Sequence, residues 1–203
     1  MTIALPAAPE FGTPVEQRPH PEVLDFLATR RSSSAVTLAE PAPSSGEIAA
    51  LISLAARVPD HGKLSPWRFI VLEGAGKAAF AARLQELAMS RGDAKAAAKL
   101  AKLKIPPAGI AVISRTKQSD IHEWEQILSA GAVCTTLLYA AQALGYGANW
   151  ITDWYAYDDE AKAILGLEPA EKVAGFILLG SLKEPPLERE RPVPTALTSV
   201  WRP

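Results

Sequence analysis

Apolar and polar positions alternate along this chain with two different periods, and those periods mark its elements. Val23, Leu24, Phe26 and Leu27 recur at helical spacing and predict a short helix over 21–30, with an apolar face and Pro21 at its start. Pro43-Ser44-Ser45-Gly46-Glu47 has the form of a helix start, with a Ser N-cap and an early Glu, and Ile48, Leu51, Ile52 and Leu54 carry that helix to Arg57 before Pro59 stops it. The run WRFIVL over 67–72 is aromatic and β-branched, and it predicts a strand. Two Ala-rich helices follow over 75–91 and 93–104, split near Gly92, with Lys95, Lys99, Lys102 and Lys104 as a solvated face. A continuously apolar strand is expected over 108–114. The longest helix is expected over 122–144 and is hydrophobic all round, the pattern of a helix buried on all sides. A polar-aromatic loop over 149–154, a short helix over 158–165 and a strand over 172–181 complete the series. Strands separated by helices, one of them apolar all round, predict a three-layer α+β domain.

The two ends have a different character. Pro6, Pro9, Pro14 and Pro19 exclude a helix near the N-terminus, so residues 1–20 are expected to form a flexible arm ahead of one domain over 21–203. That arm has neither a basic flank nor a continuous apolar stretch, and a cytoplasmic chain is expected. The proline-rich tail from Lys183 carries the charged run Glu188-Arg189-Glu190-Arg191 and ends in apolar Val200 and Trp201. No charge occurs between Gln126 and Thr152, a length that would span a bilayer. Gln142, Asn149, Ser129 and the Gly145-Tyr146-Gly147 break favour a buried soluble helix instead.

Composition narrows the function. The 203 residues hold 21 basic and 22 acidic side chains, which argues against nucleic acid, since phosphate backbones need a basic surface. A single cysteine, Cys134, excludes a disulfide framework and a Cys-rich metal site, and it sits mid-helix among apolar residues as an inert thiol. His20, His61 and His122 form no i, i+4 pair, so no metal is expected.

Three stretches carry candidate chemistry. Arg30-Arg31-Ser32 offers two guanidinium forks and a hydroxyl, which suits a phosphate; Arg at a helix end also serves simply to satisfy carbonyls. The loop from Arg57 to Phe69 gathers Arg57, Asp60, His61, Lys63 and Arg68 between a helix and a strand. It is either a binding loop or a polar turn in which Asp60 caps backbone N–H groups. No Ser elbow or reactive Cys accompanies Asp60-His61, so a hydrolytic triad is not expected. Gly145-Tyr146-Gly147 follows a helix and lacks a third glycine, so it is a helix stop and tight turn and not a dinucleotide fingerprint.

Taken in order, these pieces resemble one family. Arg30-Arg31-Ser32 is followed by Arg57-x-Pro59-Asp60-His61, then Pro66-Trp67-x-Phe69 and a strand. A long small-residue helix follows, then Val173-x-Gly175-Phe176-Ile177-x-Leu179-Gly180, Pro185-Pro186 and a late Arg191-Pro192. From about Pro21 onward this resembles the FMN-dependent nitroreductase family, in its short single-domain NAD(P)H nitroreductase subgroup with an Asp-His motif. The commoner subgroup has Ser-Ser-x-Asn-x-Gln-Pro-Trp where this chain has Asp60 to Trp67.

The resemblance implies a nitroreductase-like fold: a central, mainly antiparallel sheet flanked by helices, a long buried central helix, and a C-terminal extension that embraces a partner subunit. It implies a homodimer with FMN at the subunit interface and NADPH or NADH as reductant. Arg30 and Ser32, with Arg31 beside them, match phosphate-binding positions, Arg191 matches a second phosphate-binding basic residue with Arg189 a weaker match, Arg57 and His61 match flavin contacts, and Trp150, Ile151 and Thr152 match the segment along the flavin ring. Ala140, Ala141, Gln142, Ala143, Leu144 and Gly145 match the nicotinamide-binding stretch. The implied activity is ping-pong hydride transfer to a nitroaromatic, a quinone or another small oxidant. FMN carries the chemistry, no side chain is a certain catalyst, and Arg57 and His61 are the candidates to assist. Reduction of enones or halogenated compounds, and a non-catalytic flavin-binding homodimer, are the alternatives.

Overall fold

The computed structural model describes residues 7–203. The first six residues of the expected N-terminal arm lie outside the described residues; from 7 to 20 the chain is exposed and forms no helix or strand. Helix α1 (Pro21–Thr29) is followed by a two-residue strand, β1 (Leu38–Ala39), and α2 (Ser45–Ala55). Next come β2 (Trp67–Glu73), α3 (Gly74–Ser90), α4 (Ala94–Lys99), α5 (Ala101–Lys104) and β3 (Ala108–Ser114). The chain continues through α6 (Glu123–Ala143), β4 (Gly147–Ile151), α7 (Asp159–Ile164) and β5 (Lys172–Leu182). Local chemistry fixes several of these boundaries. Ser44 and Glu47 form a reciprocal capping box on α2, and Asp93 and Asp158 cap α4 and α7. Gly145, at φ +90°, takes the left-handed turn that ends α6.

The five strands form one antiparallel sheet with β5 at its heart. β3 lies along one side of β5, and β2 pairs with β3 beyond it. β4 pairs with residues 176–180 of β5, and β1 pairs with 181–182. Successive strand side chains face opposite ways, which separates two cores. Ala111, Ile113, Phe176 and Leu178 meet Phe80, Ala81 and Leu84 of α3, with Tyr155. Ile110, Val112, Ile177 and Leu179 meet α2 and the buried side of α6. The result is the three-layer arrangement that the alternation of elements predicts.

Four expectations change in detail. The 149–154 loop begins as strand β4, because Ala148 and Ile151 have apolar cover on either face and the backbone pairs with β5. The helix expected over 93–104 breaks at Leu100 into α4 and α5. The apolar face of α1 is not buried within the chain: Val23, Leu24 and Leu27 are exposed, and only Phe26 packs, edge-on against Tyr139. Finally, α6 is covered on one side only. Gln126, Ser129, Ala130, Val133, Cys134, Leu137, Leu138 and Ala141 are buried, whereas Gly131, Ala132, Thr135, Thr136 and Tyr139 are half-buried and Trp124 and Leu128 are exposed. Among the described residues, no helix is long and apolar enough to cross a membrane.

Burial pushes the Cys134 thiol up to about 12, which leaves it protonated and unreactive at neutral pH. A charged pair closes the far end of β2. Arg68 donates from both Nε and a terminal nitrogen to Glu171, each at 2.7 Å, and Glu171 is nearly buried. The Arg68 hydrogen bonds hold the Glu171 carboxyl at about 2, below its ordinary 4.5. A depressed folded-state value means that this contribution is fully present above about pH 4.5. It is lost as pH falls towards 2. Glu171→Gln should therefore flatten the acid limb of the stability curve in that window, as read by urea midpoints at stepped pH. An unchanged limb would assign the acid sensitivity to other carboxylates.

Candidate active site at the C-terminal end of α6

The sequence places Arg30 immediately after the last residue of α1, where the backbone turns extended. Its side chain crosses to α6: Arg30 Nε donates to Gln142 Oε1 at 3.1 Å, and a terminal nitrogen donates to Ser32 Oγ at 3.1 Å. The guanidinium also lies over the Tyr139 ring, 5.4 Å from its centroid, as a cation–π contact. Tyr139 and Gln142 stand three residues apart and so share one face of the helix. Gln142 works as a bracket, because its amide nitrogen donates to the carbonyl of Arg31 while its oxygen accepts from Arg30.

The tail closes over the same point. Arg31 Nε donates to the Leu187 carbonyl at 2.8 Å, and Arg191 reaches the Arg30 carbonyl at 3.4 Å. Glu188 pairs with Arg191 at 2.9 Å and lies 4.0 Å from Arg31. Arg31 and Arg191 thus share one carboxylate, and Arg191 also bonds the Arg30 carbonyl, so three arginines gather around one acid, a local excess of positive charge. Arg30 and Arg31 border a cavity of about 340 Å³ lined also by Phe26, Gln142, Gly145 and Tyr146. A second cavity of about 440 Å³ lies along the open side of α6, lined by Arg57, Pro59, Ala132, Thr135, Thr136 and Tyr139. Tyr139 lines this second cavity and carries the Arg30 guanidinium over its ring.

The arginine loop is pinned to the sheet. Ser33 N–H donates to the Ala148 carbonyl at 3.0 Å, and the Asn149 amide donates to the Ser33 carbonyl. Asn149 Oδ1 is buried without a hydrogen-bond partner among the described residues. One residue further on, the Trp150 indole packs against Gly175, where any Cβ would overlap it, and its Nε1 donates to the Ala174 carbonyl at 3.3 Å. Trp150 remains 39% exposed, so aromatic surface is open on the strand to which the arginine loop is pinned.

The other loop is braced separately. Asp60 accepts from the N–H groups of Leu64 (3.1 Å) and Ser65 (2.7 Å), the capping role its sequence allows. Those bonds help hold Lys63 and Ser65 at positive φ, a conformation that costs energy in any non-glycine residue. Ser129 ties the loop to α6 by donating to the Pro59 carbonyl at 2.8 Å while accepting from Trp67 Nε1 at 3.2 Å. His61 Nδ1 lies 2.7 Å from Glu125 Oε2, near the N-terminal end of α6.

Within this chain, Arg30, Arg31, Ser32, Arg191, Gln142 and Gly145 therefore come together. Trp150 stands on the strand to which they are pinned. Arg57 lines the neighbouring cavity, and His61 sits at the other end of α6. Ile151 packs into the α3-side core, Thr152 accepts from the Tyr157 hydroxyl at 2.8 Å, and Ala141 is fully buried. Sequence reasoning missed the roles of Tyr139, Glu188 and Asn149. The signal for Tyr139 was its i, i+3 spacing to Gln142, the one long polar side chain in the last turns of an apolar helix. The forked donors and hydroxyl of Arg30, Arg31, Ser32 and Arg191 fit a phosphomonoester, and the open Trp150 face fits an aromatic ring system beside it.

Known proteins share the fold. Residues 27–181 match the model of the Nitroreductase family. The Escherichia coli (strain K12) protein named "Putative NAD(P)H nitroreductase YdjA" is 32% identical over 163 residues, covering 79% of this chain and 88% of that protein. Among solved structures, a nitroreductase-like family protein from Bacillus cereus superposes with a TM-score of 0.80 at 19% identity, covering 91% of this chain and 98% of that one. A nitroreductase with bound FMN from Bacteroides fragilis superposes with a TM-score of 0.67 at 21% identity, covering 89% and 99%. With the family model spanning most of the domain and the arginine loop, α6 and β5 assembled as described, the chain belongs to the nitroreductase family.

Proposed function

We propose that this protein is an FMN-dependent oxidoreductase that passes reducing equivalents from NAD(P)H to a small oxidant, a nitroaromatic or a quinone. The observation that carries this reading is the Arg30–Ser32–Arg191 cluster bracketed by Gln142, an anion site built at the end of the central helix. The name of the E. coli relative and the FMN in the B. fragilis structure support it. FMN, when bound, supplies the hydride chemistry. The chain's own residues bind and orient. Arg30, Arg31 and Arg191 neutralise the phosphate, and Ser32 adds a short donor. Trp150 offers its half-open face to a planar ring. The Arg57 guanidinium supplies positive charge where negative charge develops on reduction. Ala140 to Gly145 is the proposed nicotinamide stretch, of which Gln142 and Gly145 face the cavity.

The same reading proposes a homodimer. The open side of α6 carries the small residues Gly131 and Ala132, and the exposed apolar residues of α1 and of the tail, Leu187, Val193, Leu197 and Trp201 among them, need cover. The test is an absorption spectrum of the purified protein with added FMN, followed by anaerobic addition of NADPH and then NADH. Yellow bands that bleach, and that return with a nitroaromatic or quinone, are the expected result. Flavin that binds but resists both nucleotides would leave a flavin-binding dimer, and failure to retain FMN would remove the reading altogether.

A further inference from the structure

A cavity of about 760 Å³ opens on the sheet face opposite α6, between α3 and the corner where α5 meets β3. Its size is that of a small-ligand pocket. Ala78, Ala81, Ala82, Ile105, Pro106 and Pro107 give it apolar walls. One wall residue breaks the pattern. The buried stripe of α3 runs Lys77, Phe80, Ala81, Leu84 and Ala88, so a lysine opens a row of apolar side chains.

Lys77 is only 6% exposed. Its ammonium donates to the Lys104 carbonyl at 3.0 Å, the last residue of α5. Among the described residues no carboxylate lies within 4 Å of it. An ammonium has three donors, and a buried charge is ordinarily paired. Burial pushes the Lys77 amine below its ordinary value, in keeping with a buried ammonium whose hydrogen-bond partner is a neutral carbonyl.

The rest of the lining selects the missing partner. Lys104 Nζ is engaged by Gln85 Oε1 at 2.9 Å, and Lys104 is exposed, so water completes its donors; Lys77 is buried with the Lys104 carbonyl as its one hydrogen-bond partner among the described residues. Glu40 accepts from the Ala42 N–H at 2.7 Å in its own turn, and Glu86 is exposed at the rim. Two carboxylates at the margins disfavour a doubly charged ligand, and the alanine and proline walls favour an apolar body. We propose that this cavity binds small monocarboxylic acids, with the carboxylate on Lys77 and the apolar body against α3 and Pro106-Pro107. Nothing in the proposed flavin chemistry requires this site, and it shares no residue with the arginine cluster.

The probe is benzoate, titrated into the FMN-loaded full-length protein and followed by broadening of its NMR resonances, with benzamide as the uncharged analogue of the same shape. Benzoate should bind about tenfold or more tightly than benzamide, since a charge-assisted hydrogen bond is at stake. Lys77→Met should erase that preference. Ala82→Phe places a ring over the cavity mouth from the exposed side of α3 without touching the Lys77–Lys104 bond, and it should abolish binding of both probes. Equal binding of benzoate and benzamide would overturn the proposal. So would undiminished benzoate binding to Ala82→Phe, which would move the probe to another cation such as the arginine cluster. If Lys77→Met does not fold, Ala82→Phe decides alone.

Discussion

Replacing Arg30 with alanine should weaken FMN binding by about 10- to 100-fold while leaving the apoprotein folded. The size follows from what the side chain does. Arg30 spends one nitrogen on Gln142, one on Ser32 and its face on Tyr139, so the guanidinium is fixed before any ligand arrives. A charge-assisted hydrogen bond to a phosphate is worth about 1.5–3 kcal/mol, and each 1.4 kcal/mol is about tenfold in affinity. Its loss frees Gln142 Oε1 and Ser32 Oγ, which are half-buried and can take water, so the folding cost should stay small. Arg30→Lys should not restore affinity, because an ammonium cannot bond Gln142 and Ser32 while presenting a flat fork to phosphate. Flavin fluorescence quenching gives the dissociation constants, and thermal unfolding of the apoprotein gives the control. Unchanged FMN affinity in Arg30→Ala would mean that the Arg30 fork only braces α1 against α6.

How much of this was legible depends on what each residue answers to. The strands over 67–73 and 108–114 answer to local chemistry, being runs of β-branched and apolar residues between turn signals, and they appear where the pattern puts them. The capping box at Ser44 and Glu47 is likewise written in four consecutive residues. β4 was hidden because Asn149 and Trp150 read as loop residues; only pairing with β5 and the Ser33 contact make them strand. β1 was hidden because two residues carry no periodicity at all. The uncharged helix read as buried all round because sequence reports hydropathy and not the neighbour that supplies the cover. In this chain one face has a sheet beneath it and the other is open. The arginine motif was legible, but the bracket of Gln142 joins positions 112 residues apart and exists only once α1 and α6 pack.

Phe176→Ala should be the most damaging single substitution in the core. Phe176 is fully buried at the middle of β5, stacked near Phe80 with centroids 6.4 Å apart and edge-on to Tyr155 at 5.1 Å. Tyr155 is itself fully buried, and its hydroxyl has no hydrogen-bond partner among the described residues, so the space would be walled by a side chain already packed on all sides. Truncating a buried Phe costs about 3–5 kcal/mol, a large share of a typical total of about 5–15. The loss strikes the strand on which the others depend, because β1, β3 and β4 all pair with β5. It also reaches the candidate site. Residue 176 pairs with Ile151 in register, directly beside the Gly175 surface on which Trp150 lies. The urea midpoint should fall steeply, and near-ultraviolet circular dichroism should report a loosened tryptophan environment at denaturant concentrations where the parent protein is still native. Phe176→Leu keeps most of the volume and should recover about half the loss or more. If Phe176→Ala instead unfolds at the parent midpoint, the α3-side core repacks freely. The rigidity that holds Trp150 in place must then come from the α6 side of the sheet.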